Sequence, residues 1–517
     1  MNPIYEKSEC VYDYCLLSLW SHQVAVNPLY HHVRGSINAM TGDITRKKLH
    51  DFNPDIAISK DEGEVLRYQI KYPCAPALLV LAAVLERKYK VKVMSLDVEK
   101  EKADSPDWLE NTVTKIAEQT KYGVLISFVS TEVDQLNQFS HMLKKENDGL
   151  KIIVGGVHAT FHDLELAENS NIDFVIRGEG EVTVLELCDA IVNNTKVKNI
   201  QGITYKEEGQ LRKNADRQFI YLEDTPTPAY HYIKDFMDKV VISAMFSRGC
   251  PYSCSYCAES NFWTSKVRYK SVKKFVDELE LLCNEYNQHF IHIADSTFGV
   301  NRQKLTELCD ELEKRKLKAF FSINIRPDVF MYMGEEMLIR LKNLNFVEMY
   351  MGIESADPQV IKSLKRKPGN MSLTDTLKKI KQIGIPLVKL YLMLGSPADN
   401  RFSFEKTVEL VELLLKEELI FYATGKYFVP SVGSALYNES EYDMLKNGDS
   451  IRLDRYNSPP VYVADGTVAQ EIDLYLQMIQ VVQYKYYLKK SSRETQEQMD
   501  EKWNQYVNGN YIRSYYF

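Results

Sequence analysis

Three thiols fall close together in Ser247-Arg-Gly-Cys-Pro-Tyr-Ser-Cys-Ser-Tyr-Cys257, where Cys250, Cys254 and Cys257 form a C-x3-C-x2-C pattern with Tyr256 before the last. A loop this short can wrap three sulfurs round one metal centre. Thiolates are soft ligands that suit zinc, copper(I) and iron–sulfur clusters. A structural zinc site wants a fourth Cys or His nearby. The next residue of either kind is Cys283, inside a helical pattern. The spacing therefore points to an iron–sulfur cluster with one coordination position left for chemistry. The competing readings are three core cysteines at this spacing by accident, a zinc knuckle, or disulfides. An odd total of nine cysteines and no secretory signal speak against the last.

Such a loop needs a scaffold, and the flanking chain supplies one. Val240-Val-Ile-Ser-Ala-Met-Phe246 reads as an apolar strand leading into the thiols. Strands then alternate with helices: strands over 290–295, 318–324, 347–355, 386–395 and 420–429, helices over 271–286, 301–316, 335–344, 373–383 and 403–416. Six β/α units of this kind predict a partial barrel with its polar residues at the strand C-termini. The motif and its setting resemble the radical SAM superfamily. That resemblance implies a [4Fe–4S] cluster on Cys250, Cys254 and Cys257, whose open iron is chelated by S-adenosylmethionine (SAM). It also implies a SAM-binding set of Tyr256, Asp295, Arg326, Glu354, Ser355 and Gly395. Glu354-Ser355 matches the fourth-strand G-I-E-S element, Arg326 a third-strand arginine for the SAM carboxylate, and Gly395-Ser-Pro397 the turn near adenine. Asp295 matches an acidic second-strand element, with Ala294 where a second acid is common.

Upstream, a second α/β pattern runs from Asp55. Strands are expected at 55–59, 90–97, 122–128, 151–154 and 172–176, with helices at 75–86, 106–120, 132–146 and 182–193. This predicts a Rossmann-like, doubly wound parallel sheet, which binds ligands at the loops beyond its strand C-termini. Those loops carry Ser127, Ser130, Thr131, Gly155, Gly156, His158, Gly178 and Glu179. The Pro76 helix, Gly155-Gly-Val-His-Ala-Thr160 and Asp173-Phe-Val-Ile-Arg-Gly-Glu-Gly-Glu181 resemble the cobalamin-binding (B12) domain found ahead of many radical SAM barrels. The resemblance implies that these loop residues bind cobalamin. After the strand expected at 55–59, the loop Ser59-Lys-Asp-Glu-Gly63 lacks the D-x-H-x-x-G histidine of B12 carriers. No cobalt-ligating histidine is expected from it. The remaining alternative is a Rossmann-like domain without cofactor.

The expected architecture is an N-terminal extension (1–54), a B12-binding-type Rossmann domain (55–215), an extended linker (216–239), a partial (β/α)6 radical SAM barrel (240–430) and a mostly helical C-terminal region (431–517). A hairpin is expected over 198–215. In the last region, 467–489 reads as an amphipathic helix that caps the substrate pocket. Cys10, Cys15, His22, His31 and His32 fit no defensible metal spacing. No cysteine follows Cys309, which excludes a C-terminal auxiliary-cluster domain.

Bulk properties bound the rest. At 45% hydrophobic and 26% charged residues the 517-residue chain is an ordinary globular protein with room for several domains. A net charge of −7 provides no global basic field for nucleic acid. No apolar run is long enough for a membrane span, and no signal peptide is evident, so a cytoplasmic location is expected.

The resemblance implies a cobalamin-dependent radical SAM methyltransferase acting on an unactivated carbon of a small molecule or peptide. It also implies a flavodoxin- or ferredoxin-type electron donor. The first rival is radical chemistry without methylation: rearrangement, ring contraction, epimerisation or cyclisation. The second is a methylthiotransferase, for which Cys10, Cys15 and Cys74 are poorly spaced. The third is a non-catalytic cobalamin or metal sensor.

Overall fold

The computed structural model describes residues 12–19, 41–56, 76–364, 372–438 and 469–490, apart from 43, 104 and 240. The first sheet has seven strands in the order β2-β1-β3-β4-β5-β6-β7. Strands β1 (Tyr12–Ser18), β2 (Val91–Ser95), β3 (Thr120–Ser127), β4 (Lys151–Gly155) and β5 (Phe174–Ile176) run parallel. The hairpin of β6 (Ile203–Glu207) and β7 (Gln210–Lys213) extends the sheet antiparallel to β5. The 2-1-3-4-5 order reverses direction between β1 and β3, which opens a ligand crevice beyond their C-termini.

The first strand is a correction. The sequence places it at 55–59, and residues 12–18 in an extension. The structure instead makes Tyr12–Ser18 the strand between β2 and β3, while Asp55 and Ile56 lie in a turn and 57–59 fall outside the described residues. The chemistry of β1 explains its place. Tyr14 and Leu16 pack with helices Pro76–Leu85 and Glu181–Val192 on one face; Cys15 and Leu17 pack with helices Trp108–Gln119 and Val133–Glu146 on the other. A strand buried on both faces is apolar at consecutive positions and shows no alternation. The loop after the true first strand begins at Leu19, so the missing-histidine argument made on Ser59–Gly63 loses its premise. Residues 20–40, with His22, His31 and His32, lie outside the described residues, as do Cys10 and Cys74.

The linker also differs from expectation. Leu222–Asp224 and Tyr230–Lys239 are 3₁₀ turns, and Ala229, Tyr230, Ile233 and Met237 are buried in the main core. A polar, proline-containing stretch thus packs as a mortar between the two sheets.

The second sheet is wholly parallel, with strands β8 (Ile242–Ala244), β11 (Phe290–Ile293), β12 (Phe320–Asn324), β13 (Phe346–Glu354), β14 (Leu387–Leu394) and β15 (Tyr422–Tyr427) adjacent in chain order. This is the expected six-stranded partial barrel. A two-stranded ribbon, β9 (Ser247–Arg248) with β10 (Arg268–Tyr269), brackets the cysteine loop. The intervening helices start where the sequence supplies a cap. Ser271, Asn301, Ser372 and Asn400 each accept a backbone N–H three residues on, worth about 1 kcal/mol apiece. Gly384, at φ +89°, ends the helix Leu373–Ile383 in the left-handed conformation.

The C-terminal helix Ala469–Leu488 lies along the barrel's last strand and against helix Arg401–Lys416. Gln483 accepts from Ala423 N at 2.8 Å and donates to Ala423 O at 2.9 Å, so one side-chain amide satisfies the free edge of β15. The described part of this region therefore covers a sheet edge. Among the described residues no helix is long and apolar enough to cross a membrane.

Candidate active site

The cysteine loop is built from beneath. Asp295, at the end of β11, is buried, and its carboxylate accepts Phe246 N (2.8 Å), Ser247 N (2.9 Å) and Ser247 Oγ (2.5 Å). Burial pushes its carboxyl up to about 6 against the opposing pull of those donors. Asp295 thus anchors the strand that enters the loop, a different task from the SAM contact its position implies. At Gly249, φ is +107° and an added Cβ would stand 2.7 Å from Lys266 O, so only glycine lets the chain turn here. Backbone bonds then fix the loop: Cys257 N to Cys254 O at 3.1 Å, Ser255 N to Leu364 O at 3.1 Å, Ser431 N to Tyr256 O at 2.9 Å and Leu436 N to Ser255 O at 2.8 Å.

Cys250, Cys254 and Cys257 are all free thiols and partly buried. Cys250 Sγ lies 3.7 Å from Thr297 Oγ1, and Arg326 Nη1 lies 3.7 Å from Cys254 Sγ. Burial pushes Cys250 up, and Cys257 up to about 12, with each other's charge adding to the effect. Buried thiols that would repel one another as thiolates suit a shared cationic centre, which deprotonates its ligands. A multi-iron cluster takes one thiolate per iron, and three thiols on one loop can supply three of them. Ser255 Oγ, between the last two thiols, is buried with no hydrogen-bond partner among the described residues.

The expected SAM residues gather at the same strand ends. Tyr256 donates to Glu354 Oε1 at 2.8 Å. Glu354 ends β13 after a register shift, and its φ of +63° is rare for a residue with a side chain. Such backbone strain is characteristic of ligand sites. Ser355 Oγ accepts Asp357 N at 3.1 Å and so helps start helix Pro358–Ser363. Arg326 is held by both oxygens of Asp328 (2.9 and 3.0 Å) and stacks 3.8 Å from the centre of the Tyr252 ring. Gly395 (φ +95°) and Ser396 donate their N–H groups to Asp399 Oδ2 at 3.1 and 2.8 Å, making Asp399 the organiser of that turn.

The loops of the first sheet provide the second half. Ser127 ends β3 in register with Gly155 on β4, and Ser130 and Thr131 begin the 3₁₀ turn Ser130–Glu132. Gly156 has φ +114°, with Phe128 O already 3.0 Å from where a Cβ would sit. Gly178 has φ +69° and open space on its Cβ side. His158 Nδ1 lies 3.0 Å from Ser130 Oγ, the ring stacks on His162 at 4.7 Å, and burial pushes it down to about 4. Val129 and Val157 stand 49% and 38% exposed on adjacent loops. An open Gly178 and exposed Val129 and Val157 at the strand ends of one sheet suit a flat, largely apolar macrocycle such as a corrin.

Glu179 is taken up by charged partners from the barrel side. Its side chain is 2% exposed and accepts from Arg248 Nη1 at 2.7 Å, Arg268 Nη2 at 2.9 Å and Ile220 N at 2.8 Å. Its neighbour Glu181 accepts Arg248 Nη2 at 2.6 Å. Sequence reasoning also missed Glu259, two residues past Cys257 and half-buried, whose carboxyl is pushed up by desolvation and which accepts a hydrogen bond from Ser296 Oγ. Charged residues inside or beside the cysteine motif were the available signal.

The profile of the Radical SAM superfamily matches residues 245–411, and that of the B12 binding domain matches residues 71–188, starting downstream of β1. An uncharacterized methyltransferase of Pyrococcus horikoshii is 29% identical over 312 residues, covering 59% of this chain and 65% of that protein. The anaerobic magnesium-protoporphyrin IX monomethyl ester cyclase of Rubrivivax gelatinosus is 31% identical over 224 residues, 41% of this chain and 40% of the cyclase. The chain thus spans less than two-thirds of either relative. The solved structure of the radical S-adenosylmethionine methyltransferase TsrM from Kitasatospora setae, with cobalamin and a [4Fe-4S] cluster bound, shares the fold. The match covers 84% of this chain and 75% of that one, at a TM-score of 0.60 and 16% identity.

Proposed function

We propose that the chain, whose residues 245–411 match the Radical SAM superfamily and 71–188 the B12 binding domain, is a cobalamin-dependent radical SAM methyltransferase. One observation carries this reading. A three-thiol loop at the strand ends of a partial barrel is joined directly, through Arg248 and Glu179, to the ligand edge of a Rossmann-like sheet. In this reading Cys250, Cys254 and Cys257 hold a [4Fe–4S] cluster, and Tyr256, Arg326, Glu354 and the Gly395 turn surround SAM. Ser127, Ser130, Thr131, Gly155, Gly156, His158 and Gly178 line the corrinoid crevice. Bound together, these groups supply a carbon-centred radical that takes hydrogen from an unactivated carbon, and a methyl group to replace it.

The chain's own residues position and exclude. Asp295 fixes the entry to the loop, Arg326 places a cation beside Cys254, and the Tyr256–Glu354 bond orients a carboxylate at the mouth of the barrel. A neutral, buried His158 keeps charge out of the crevice wall. The substrate is a small molecule or peptide held between the two strand-end surfaces. Electrons come from a flavodoxin- or ferredoxin-type donor, and the setting is the cytoplasm. The net charge of −7 disfavours a nucleic-acid substrate.

The test is anaerobic reconstitution with iron, sulfide and cobalamin. The expected result is about four irons and about one corrinoid per chain, a methyl mass shift on the product, and loss of iron in the Cys250→Ala, Cys254→Ala, Cys257→Ala triple variant. Cluster and corrinoid with a product of unchanged methyl count would move the assignment to radical rearrangement or cyclisation, the activity class that the Rubrivivax relative's name describes. Equal iron in wild type and triple variant would defeat the proposal.

A further inference from the structure

Around the cysteine loop lies a cluster of four charges that the proposed chemistry does not use. Arg248 stands two residues before Cys250 and pairs in the β9–β10 ribbon with Arg268. Their guanidinium groups converge on Glu179 and Glu181, which begin the loop and helix after β5. Arg268 also donates to Ile220 O at 3.0 Å, and Ile220 N donates to Glu179 Oε2. Trp263 and Phe219 lie against the two guanidinium groups, with ring centres 5.0 and 4.5 Å away. The four side chains are 2–18% exposed. Two arginines against two glutamates leave the cluster neutral, with Arg268 Nε buried and without a hydrogen-bond partner among the described residues. Arg268 pairs bidentately with Glu179 and Arg248 bridges Glu179 and Glu181, which fixes orientation as well as distance.

Its position gives it a role. On one side the next residue toward the crevice is Gly178, with φ +69° and open space beside it. On the other, only Gly249, where an added side chain would clash with Lys266 O, separates Arg248 from Cys250. We infer that the Glu179–Glu181–Arg248–Arg268 cluster is a positioning latch that ties the corrinoid crevice to the cysteine loop, so that filling the crevice steadies the cluster ligands. This rests on the proposed cofactors. It reassigns Glu179 from corrinoid contact to coupling of the two sites. Linked sites of this kind reinforce one another reciprocally, typically about 5- to 150-fold.

The experiment follows iron release from the reconstituted full-length protein to a ferrous chelator, with and without hydroxocobalamin. In wild type, corrinoid should slow release roughly tenfold. Glu179→Gln and Arg248→Met should bind a normal iron complement yet lose that protection. The double variant should behave like either single one, since both break the same pair. Arg248→Lys should restore part of the effect, because it keeps the charge without the fork that bridges Glu179 and Glu181. Equal protection in wild type and variants would overturn the latch. Hydrogen exchange on wild type alone guards against variants that fail to fold: corrinoid should protect residues 249–258, and no change there would also overturn it. A wild type that takes up no cluster or no corrinoid defeats the cofactor reading itself, and the latch with it.

Discussion

A histidine kept neutral by burial leaves a measurable trace in the pH dependence of stability. His158 lies against Phe128, His162 and Ser130, and burial, followed by the neighbouring His162, pushes it from an ordinary 6.5 down to about 4. The unfolded chain takes up a proton near pH 6.5 that the folded chain refuses until about pH 4. Stability from this residue is therefore fully present above pH 6.5 and is lost as pH falls through that window, by roughly 3 kcal/mol in total. Denaturation midpoints at pH 7.5, 6, 5 and 4 should fall more steeply for wild type than for His158→Gln. Parallel curves would count against the burial argument. At this scale the sequence was informative about type and silent about partners. The three cysteines were legible because their spacing is local. Glu179 and Asp295 were legible as polar residues at strand ends, but their partners Arg248 and Ser247 lie 69 and 48 positions away in the chain. Only the fold brings them together.

Elements were legible wherever a cap and a period coincided, as at Ser271, Asn301 and Ser372, and wherever an apolar run stood between glycines and charges. Strand β1 escaped because its evidence is a two-sided apolar run, Tyr14-Cys-Leu-Leu17, separated by nearly sixty residues from the helix that packs on it. A parallel strand is recognised by its crossover, and here the crossover is unusually long. The C-terminal helix was legible as amphipathic, but its task was not, because that task belongs to a single polar side chain on its buried face. Gln483→Met should leave Ala423 N and O buried without partners. The expected cost is about 2–4 kcal/mol, from two unsatisfied backbone groups at roughly 1–3 kcal/mol each with partial relaxation. Urea unfolding would measure it, and light scattering should report self-association through the bared edge of β15. A loss below about 0.5 kcal/mol would mean that the edge finds other partners.

At the scale of the whole molecule the two sheets share one core. Leu78, Leu79 and Ala82 of the first unit, Ala229, Tyr230, Ile233 and Met237 of the segment between, and Ile242, Phe246 and Phe275 of the barrel are continuous in a single buried cluster. Ala229 N donates to Leu79 O at 3.0 Å, Tyr232 Oη donates to Val91 O at 3.2 Å, and Tyr230 Oη donates to buried Glu278 at 2.8 Å, itself paired with Lys270 at 2.6 Å. Residues 431–437 add a second tie: Ser431 and Leu436 bond the cysteine loop, while Tyr437 Oη lies 3.1 Å from His162 Nε2 on the first unit. Domains joined only by a polar linker move and melt independently. A shared apolar core makes the opposite prediction for this chain: the two units should unfold in one calorimetric transition, with van't Hoff and calorimetric enthalpies in agreement. Ile233→Ala and Met237→Ala together should remove about 4–8 kcal/mol of contact between the units, enough to split that transition in two and to let the barrel and the first sheet melt apart. Two resolved transitions in the unmodified protein would show that the segment between the sheets is a tether after all. The cysteine loop and the crevice would then face each other only through the arginine–glutamate cluster and the strand-end contacts.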